Sequence, residues 1–295
     1  MYDTIIIGMG CAGMSAGVYA KRSGLRTLII DENAPGGLLN KVNIVENYLG
    51  FKSISGPDLA LTMFEHINNE QVPYKIEKVL KIELKDGYKE ITTTKSIYQT
   101  KSIILAIGRK PKKSGLALED KYVGKGISYC ALCDGALYKN KDIVVLGGGS
   151  SAFEEAIYLS NIASSVKIIV RSEIKAEKAL YERAIKINNI EIIKGRVVSE
   201  FIGNELIEAV KLDNDEIIKC EGVFIYYGYD ADTAFINDLK ITNEKGYIDV
   251  DQLMRTKVPF IYACGDIIQK DLYQIITATS EGAIAATSAR KDLMK

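Results

Sequence analysis

The stretch "GISYCALCDG", residues 126–135, sets Cys130 and Cys133 two residues apart and follows them at once with Asp134 and a glycine. Two thiols at this spacing can close a disulfide ring and reopen it, form half of a zinc site, or sit as an inert buried pair. Zinc needs two further ligands at suitable spacing, but Cys11, Cys220 and Cys264 are scattered singly and His66 is the single histidine. No metal is expected. A carboxyl group beside the second thiol can take or give a proton where no histidine is at hand. The redox reading is therefore preferred, with Cys130, Cys133 and Asp134 as the candidate catalytic group.

A second constellation is a pair of glycine turns. Gly8, Gly10 and Gly13 follow a β-branched run and open a small-residue segment, and Asp31 closes the next run. This pattern permits a tight turn and close approach of a pyrophosphate to a helix N-terminus, with the acid placed for a ribose hydroxyl. The segment "KDIVVLGGGSSAFEEAIYLSNIASSVKIIVR" repeats the plan with Gly147, Gly149 and Ala152. Its second run ends in Arg171, so the acid is missing there. That turn can serve a dinucleotide or merely keep the fold.

The elements that must position these groups follow from the hydrophobic pattern. Continuous β-branched runs alternating with helices predict an α/β protein of parallel sheets covered on both faces. Two such openings predict two doubly wound, Rossmann-like domains. Hairpins are expected at Asp86-Gly87 and near Gly203-Asn204. The last stretch reads as a strand ending at Cys264-Gly265-Asp266 and then a small-residue helix, which completes the first domain. The expected division is 1–112 with 246–295 for one domain and 113–245 for the domain inserted in it.

The chain has 295 residues with 38 Lys+Arg against 38 Asp+Glu, so no field holds it on nucleic acid or anionic lipid. The apolar stretch from Ile5 to Ala20 is interrupted by glycines and is shorter than the roughly 20 residues of a membrane span. No basic stretch precedes it, and five cysteines form an odd set that suits a reducing compartment. A soluble, cytoplasmic protein is expected.

With these features in place the sequence resembles the low-molecular-weight flavin thioredoxin reductases along essentially its whole length. The matching stretches are "GMGCAG", "APGGLLNKVNIVENYLGF", "YCALCDG", "GGGSSAFEEAIYL", "GVFIYYGYDADT" and "IYACGDI". The resemblance implies an FAD domain built from both chain ends, an inserted domain carrying the CxxC pair, a homodimer, and thioredoxin as partner. It implies that Cys133 lies against the flavin, Cys130 attacks the partner disulfide and Asp134 manages protons. It further implies that Asp266 and Gly265 bond the ribitol, that Gln274 sits by the flavin ring, and that Gly37, Asn47 and Gly108 belong to the flavin site.

Departures from the family bear on the electron donor. The family grips the NADPH 2′-phosphate with His-Arg-Arg, three residues, then Arg. This chain reads "IIVRSEIKAEK", one residue shorter, leaving Arg171 and Lys175 with Glu173 between them. Two missing charge-assisted bonds, each worth about 1.5–3 kcal/mol, weaken such binding about a hundredfold or more. On the flavin side Tyr273 replaces an arginine before Gln274, Leu38 a glutamine and Cys11 a proline. The erosion is similar to that of relatives fed by reduced ferredoxin. Ferredoxin is therefore the expected donor, with NADPH or NADH as the alternative; a flavin-dependent dithiol oxidase and a non-catalytic FAD protein are readings of another class.

Overall fold

The computed structural model describes residues 1–42, 44–231 and 233–295. Two compact units emerge. One comprises Met1–Lys110 with Asp230–Lys295, the other Pro111–Tyr229. The chain leaves the first unit at 110/111 and returns to it at 229/230, where crossings at 112/113 and 245/246 were expected. Residues 230–245 carry Ile236, Leu239 and Ile241, all buried in the core of the first unit.

In the first unit β1 (Tyr2–Ile7), α1 (Cys11–Arg22) and β2 (Thr27–Asp31) form the first βαβ opening. After α2 (Gly56–Asn69) come β3 (Tyr74–Ile76), β4 (Val79–Lys85), β5 (Tyr88–Thr93) and β6 (Ile97–Leu105). The sheet runs β3–β2–β1–β6–β5–β4, and the late strand Ile261–Ala263 pairs beside β6. The isoleucine runs are unalternated because β1 and β6 are covered on both sides: Ile5, Ile6, Ile103 and Ile104 are all fully buried. β4 and β5 pair antiparallel around Asp86-Gly87. The C-terminal helix Ile275–Leu293 packs on α1 so closely that a Cβ on Gly282 would lie 2.1 Å from the Ala12 carbonyl oxygen. Small residues on both helices permit that approach.

The second unit begins with the short helix α3 (Glu119–Tyr122) and β7 (Ile127–Ser128), then the single-turn helix α4 (Ala131–Asp134). β8 (Asp142–Leu146), α5 (Ser150–Ser160) and β9 (Ser165–Val170) make the second βαβ opening, followed by α6 (Lys178–Ala184) and β10 (Ile190–Lys194). A hairpin and its neighbour, β11 (Val198–Gly203), β12 (Ile207–Leu212) and β13 (Ile217–Lys219), precede β14 (Gly222–Ile225). The parallel sheet is ordered β7–β14–β8–β9–β10, and β11–β12–β13 form a separate antiparallel sheet. Side chains of β8, β9, β14 and α5 fill one core, including Val145, Ile168, Phe224 and Phe153. No helix among the described residues is long and apolar enough to cross a membrane.

Candidate active site

Cys130 and Cys133 are joined as a disulfide, with their Cα atoms 5.3 Å apart. The bond closes around α4. Cys130 has extended backbone, φ −144° and ψ 103°, and its Sγ accepts the Cys133 N–H at 3.2 Å. Three side chains fix the approach to this turn. Ser128 Oγ accepts the Cys130 N–H at 3.1 Å and donates to Asp134 Oδ2 at 2.6 Å. The Tyr226 hydroxyl accepts the Ala131 N–H at 2.8 Å, and the Tyr229 hydroxyl donates to the Tyr129 carbonyl at 3.3 Å. The Tyr129 hydroxyl in turn donates to Glu119 Oε1, a buried carboxylate whose other oxygen accepts from Ser114 Oγ at 2.6 Å.

Asp134 is the group with spare capacity. Its Oδ1 is buried and has no hydrogen-bond partner. Burial raises its pKa, opposed by the bond from Ser128. A carboxyl group in this state keeps its proton to higher pH than an exposed aspartate and can hand it to a departing thiolate. The other cysteines lack such an environment. Burial pushes the Cys11 and Cys220 thiols up to about 12, and Cys264 is raised by burial and by Glu281.

The residues expected from the sequence to border FAD all belong to the first unit. Gly8 has φ +106°, and a Cβ there would stand 2.2 Å from the Ala106 carbonyl oxygen. At Gly13 a Cβ would meet the Gly8 carbonyl oxygen at 1.9 Å. Gly10 caps α1 facing open space, with Gly37 close beside it: a Cβ on Gly37 would lie 3.4 Å from the Gly10 Cα. Asp31 accepts the Met9 N–H at 2.6 Å through one oxygen and the Asn33 N–H at 2.8 Å through the other. Each oxygen retains a lone pair for a hydroxyl. Asn47 donates to Gln274 Oε1 at 3.0 Å, joining two residues distant in sequence. Gly108 has positive φ, +62°.

Asp266 Oδ1 is buried and receives no hydrogen bond among the described residues, but it is ion-paired with Lys270 Nζ at 3.5 Å. Lys270 is committed to Glu281 at 2.8 Å, and Glu281 also accepts the Gly265 N–H at 2.9 Å. A buried carboxylate oxygen that has an ion-pair partner but receives no hydrogen bond fits the hydroxyls of a polyhydroxylated cofactor. Tyr273 lies two residues before the C-terminal helix Ile275–Leu293. Its hydroxyl accepts the Lys270 N–H at 3.3 Å, and its ring packs 6.0 Å from that of Tyr247. Arg109 lies 4.0 Å over the Tyr247 ring, so a guanidinium is present near the position where the family's arginine became Tyr273.

The second glycine turn has the same build. A Cβ on Gly147 would meet the Tyr226 carbonyl oxygen at 2.6 Å, Gly149 caps α5 with open space around it, and Ala152 is buried. Arg171 is the first residue past β9. The loop after it folds back, the Lys175 N–H donating to the Gly148 carbonyl at 2.7 Å. Arg171 and Lys175 are both exposed and therefore available to an anion.

Residues 2–282 match the family model described as pyridine nucleotide-disulphide oxidoreductase. The chain belongs to that family. As a pyridine nucleotide-disulphide oxidoreductase it is an FAD protein acting on disulfides. It is 42% identical over 298 aligned residues to a thioredoxin reductase of Ureaplasma parvum, covering 99% of this chain and 96% of the relative. Among solved structures, a thioredoxin reductase from Streptococcus pyogenes superposes with a TM-score of 0.95 at 42% identity, covering 100% of this chain and 98% of the other. A ferredoxin-flavin thioredoxin reductase from Clostridium acetobutylicum is more distant, with 31% identity and a TM-score of 0.55 over 99% of this chain and 98% of that one. The ferredoxin donor expected from the eroded phosphate clamp is thus not supported; the similarity favours the pyridine-nucleotide alternative. Two stretches quoted for the sequence resemblance include Asn43 and Asp232, which lie outside the described residues.

The sequence reading missed Tyr226, Tyr229 and Glu119. They reach the CxxC turn from stretches distant from it in sequence, the 226–229 tetrapeptide and α3. The one available signal was the tyrosine-rich "YYGY" immediately after β14.

Proposed function

We propose that this protein is a thioredoxin-disulfide reductase that draws its electrons from a pyridine nucleotide and passes them through FAD to Cys130 and Cys133. The observation that carries the reading is the closed Cys130–Cys133 bond with the orphaned oxygen of Asp134 in the same turn. The full-length similarity to proteins named thioredoxin reductase supports thioredoxin as the substrate.

The residues of the first unit suit FAD. The Gly8–Gly10–Gly13 turn would take the pyrophosphate, Asp31 a ribose hydroxyl, and Asp266 with Gly265 the ribitol. Gly37, Asn47, Gly108 and Gln274 would border the ring system, with Tyr273 behind them. Bound FAD supplies a two-electron carrier. Gly147, Gly149 and Ala152 would hold the donor's pyrophosphate, and Arg171 and Lys175 its adenosine phosphate. The protein works as a homodimer in this reading, as the resemblance implies.

In its reduced state the pair acts by thiol–disulfide exchange. The Cys130 thiolate attacks one sulfur of the thioredoxin disulfide, forming a mixed disulfide and releasing one partner thiolate. Cys133 then attacks Cys130 Sγ. The Cys130–Cys133 bond re-forms, and the second partner thiolate leaves. Asp134, whose pKa burial raises, protonates the first leaving sulfur and takes a proton back from the Cys133 thiol as that sulfur attacks. Anaerobic titration of flavin absorbance with NADPH, NADH and reduced ferredoxin in turn tests the donor. Bleaching by a nucleotide is expected; bleaching by ferredoxin alone would refute it.

A further inference from the structure

The CxxC turn is held by phenols that the reaction itself does not require. Tyr226 and Tyr229 belong to one tetrapeptide, 226–229, which leaves β14 and carries the chain out of the second unit. The Tyr226 hydroxyl accepts the Ala131 N–H at 2.8 Å, and the Tyr229 hydroxyl donates to the Tyr129 carbonyl at 3.3 Å. These two backbone groups flank Cys130 directly. Tyr129 is held at its other end as well, by its bond to buried Glu119. α5 supports the turn from behind: a Cβ on Gly135 would lie 3.1 Å from Leu159 and 3.3 Å from Tyr158. The peptides on either side of the first sulfur are therefore anchored, whereas Leu132 between the two sulfurs is 43% exposed.

We propose that Tyr226 and Tyr229 are positioning residues for the Cys130–Cys133 couple, fixing the backbone on both sides of Cys130 so that its sulfur stays within ring-closing reach of Cys133. The inference rests on the reading of this pair as the exchanging disulfide. Its physical basis is pre-organisation. Closing a disulfide between two held thiols costs less ordering than closing it between mobile ones, so tethers seen in the closed form favour the disulfide over the dithiol. Release of either tether should make the pair easier to reduce.

The test equilibrates the FAD-loaded protein with a reference dithiol–disulfide buffer, traps free thiols with an alkylating agent, and reads Cys130 and Cys133 by mass spectrometry. In the exchange the reference dithiol gives up two electrons and two protons, its own S–S bond forms, and the Cys130–Cys133 bond opens into two thiols. Tyr226→Phe removes one oxygen and leaves the ring. It is expected to shift the equilibrium constant about tenfold toward the dithiol, about 30 mV for a two-electron couple. Tyr229→Phe, which loses a longer bond, is expected to shift it about threefold in the same direction. Tyr181→Phe, in α6, serves as the control and should leave the constant unchanged. Constants within twofold of the parent for both Tyr226→Phe and Tyr229→Phe, with flavin spectrum and melting temperature preserved, would overturn the proposal. Should one variant lose its flavin or its fold, the other decides alone. A parent protein whose two cysteines never respond to the buffer would instead strike the underlying reading of the pair.

Discussion

The two glycine turns are built alike and equipped differently. In each, the first glycine faces a carbonyl just past a neighbouring parallel strand: Ala106 after β6 for Gly8, and Tyr226 after β14 for Gly147, with a Cβ falling at 2.2 and 2.6 Å. The turn glycine is thus dictated by the sheet, whatever the ligand. The third position shows the first difference. Gly13 has no room for a methyl group, since a Cβ would lie 1.9 Å from the Gly8 carbonyl oxygen; Ala152 carries one and is merely buried. The second difference is the residue at the strand end. Asp31 meets the first turn through the Met9 N–H, whereas Arg171 opens a loop that folds onto the second turn through Lys175. One framework therefore ends in a carboxylate bonded to the turn in one unit and in exposed cations in the other.

The sharpest break between the units is that the Cys130–Cys133 disulfide belongs to the second. Cys130→Ser or Cys133→Ser should cut thioredoxin turnover at least about a thousandfold, while the flavin absorbance, which depends on the first unit, remains. A steady-state assay beside a visible spectrum checks both halves. Turnover surviving in both variants would erase the division of labour.

The third glycine position gives the next largest effect. Gly13→Ala should cost about 3 kcal/mol or more through backbone overlap and release the flavin. Ala152→Gly at the matching place should cost only about 1 kcal/mol of helix propensity and leave flavin content intact. Denaturant melts with a flavin count distinguish these outcomes, and equal losses would show that the two turns are packed alike after all.

The strand-end contrast is sharpened by Arg171→Ala. Losing one charge-assisted contact should lower kcat/KM for NADPH about tenfold relative to NADH, with the flavin site untouched. A parallel loss for both nucleotides would mean that Arg171 does not read the adenosine phosphate.

The smallest effect is a pH dependence confined to the second unit. Burial, aided by the charge of Glu154, pushes the Glu155 carboxyl up to about 7. Because the folded state binds this proton more tightly than the unfolded one, its stabilising contribution is complete below the ordinary glutamate range and is lost as pH rises through about 7. Glu155→Gln should therefore flatten the melting temperature between pH 5 and 8 by about 1–3 °C. An unchanged slope would assign the pH dependence elsewhere.

Much of this was legible in the residues themselves. The unalternated runs at Ile5–Ile7 and Ile143–Leu146 announce strands covered on both faces, and the glycine turns and Asp86-Gly87 follow from local geometry. The return crossing at 229/230 was not legible. The described residues of 230–245 form no long strand or helix, and their apolar groups Ile236, Leu239 and Ile241 carry no clear period, although they fill the first unit's core. The nearness of Asp134 to the two cysteines was readable because it is local in sequence. The bracing of the turn by Glu119, Tyr226 and Tyr229 was not, since their spacing to Cys130 is set by the sheet order. The ferredoxin donor is not supported by the relatives: missing arginines are visible in a sequence, but the loop that folds Lys175 back onto the glycine turn is not.

The central claim is that reducing equivalents from a pyridine nucleotide reach one pair of sulfurs and no other. The direct measurement adds NADPH anaerobically to the FAD-loaded protein, traps thiols under native conditions and maps them by mass spectrometry. Cys130 and Cys133 should both become newly labelled, while buried Cys220 and Cys264 stay unlabelled before and after. Labelling of Cys130 and Cys133 that NADPH leaves unchanged would contradict the account.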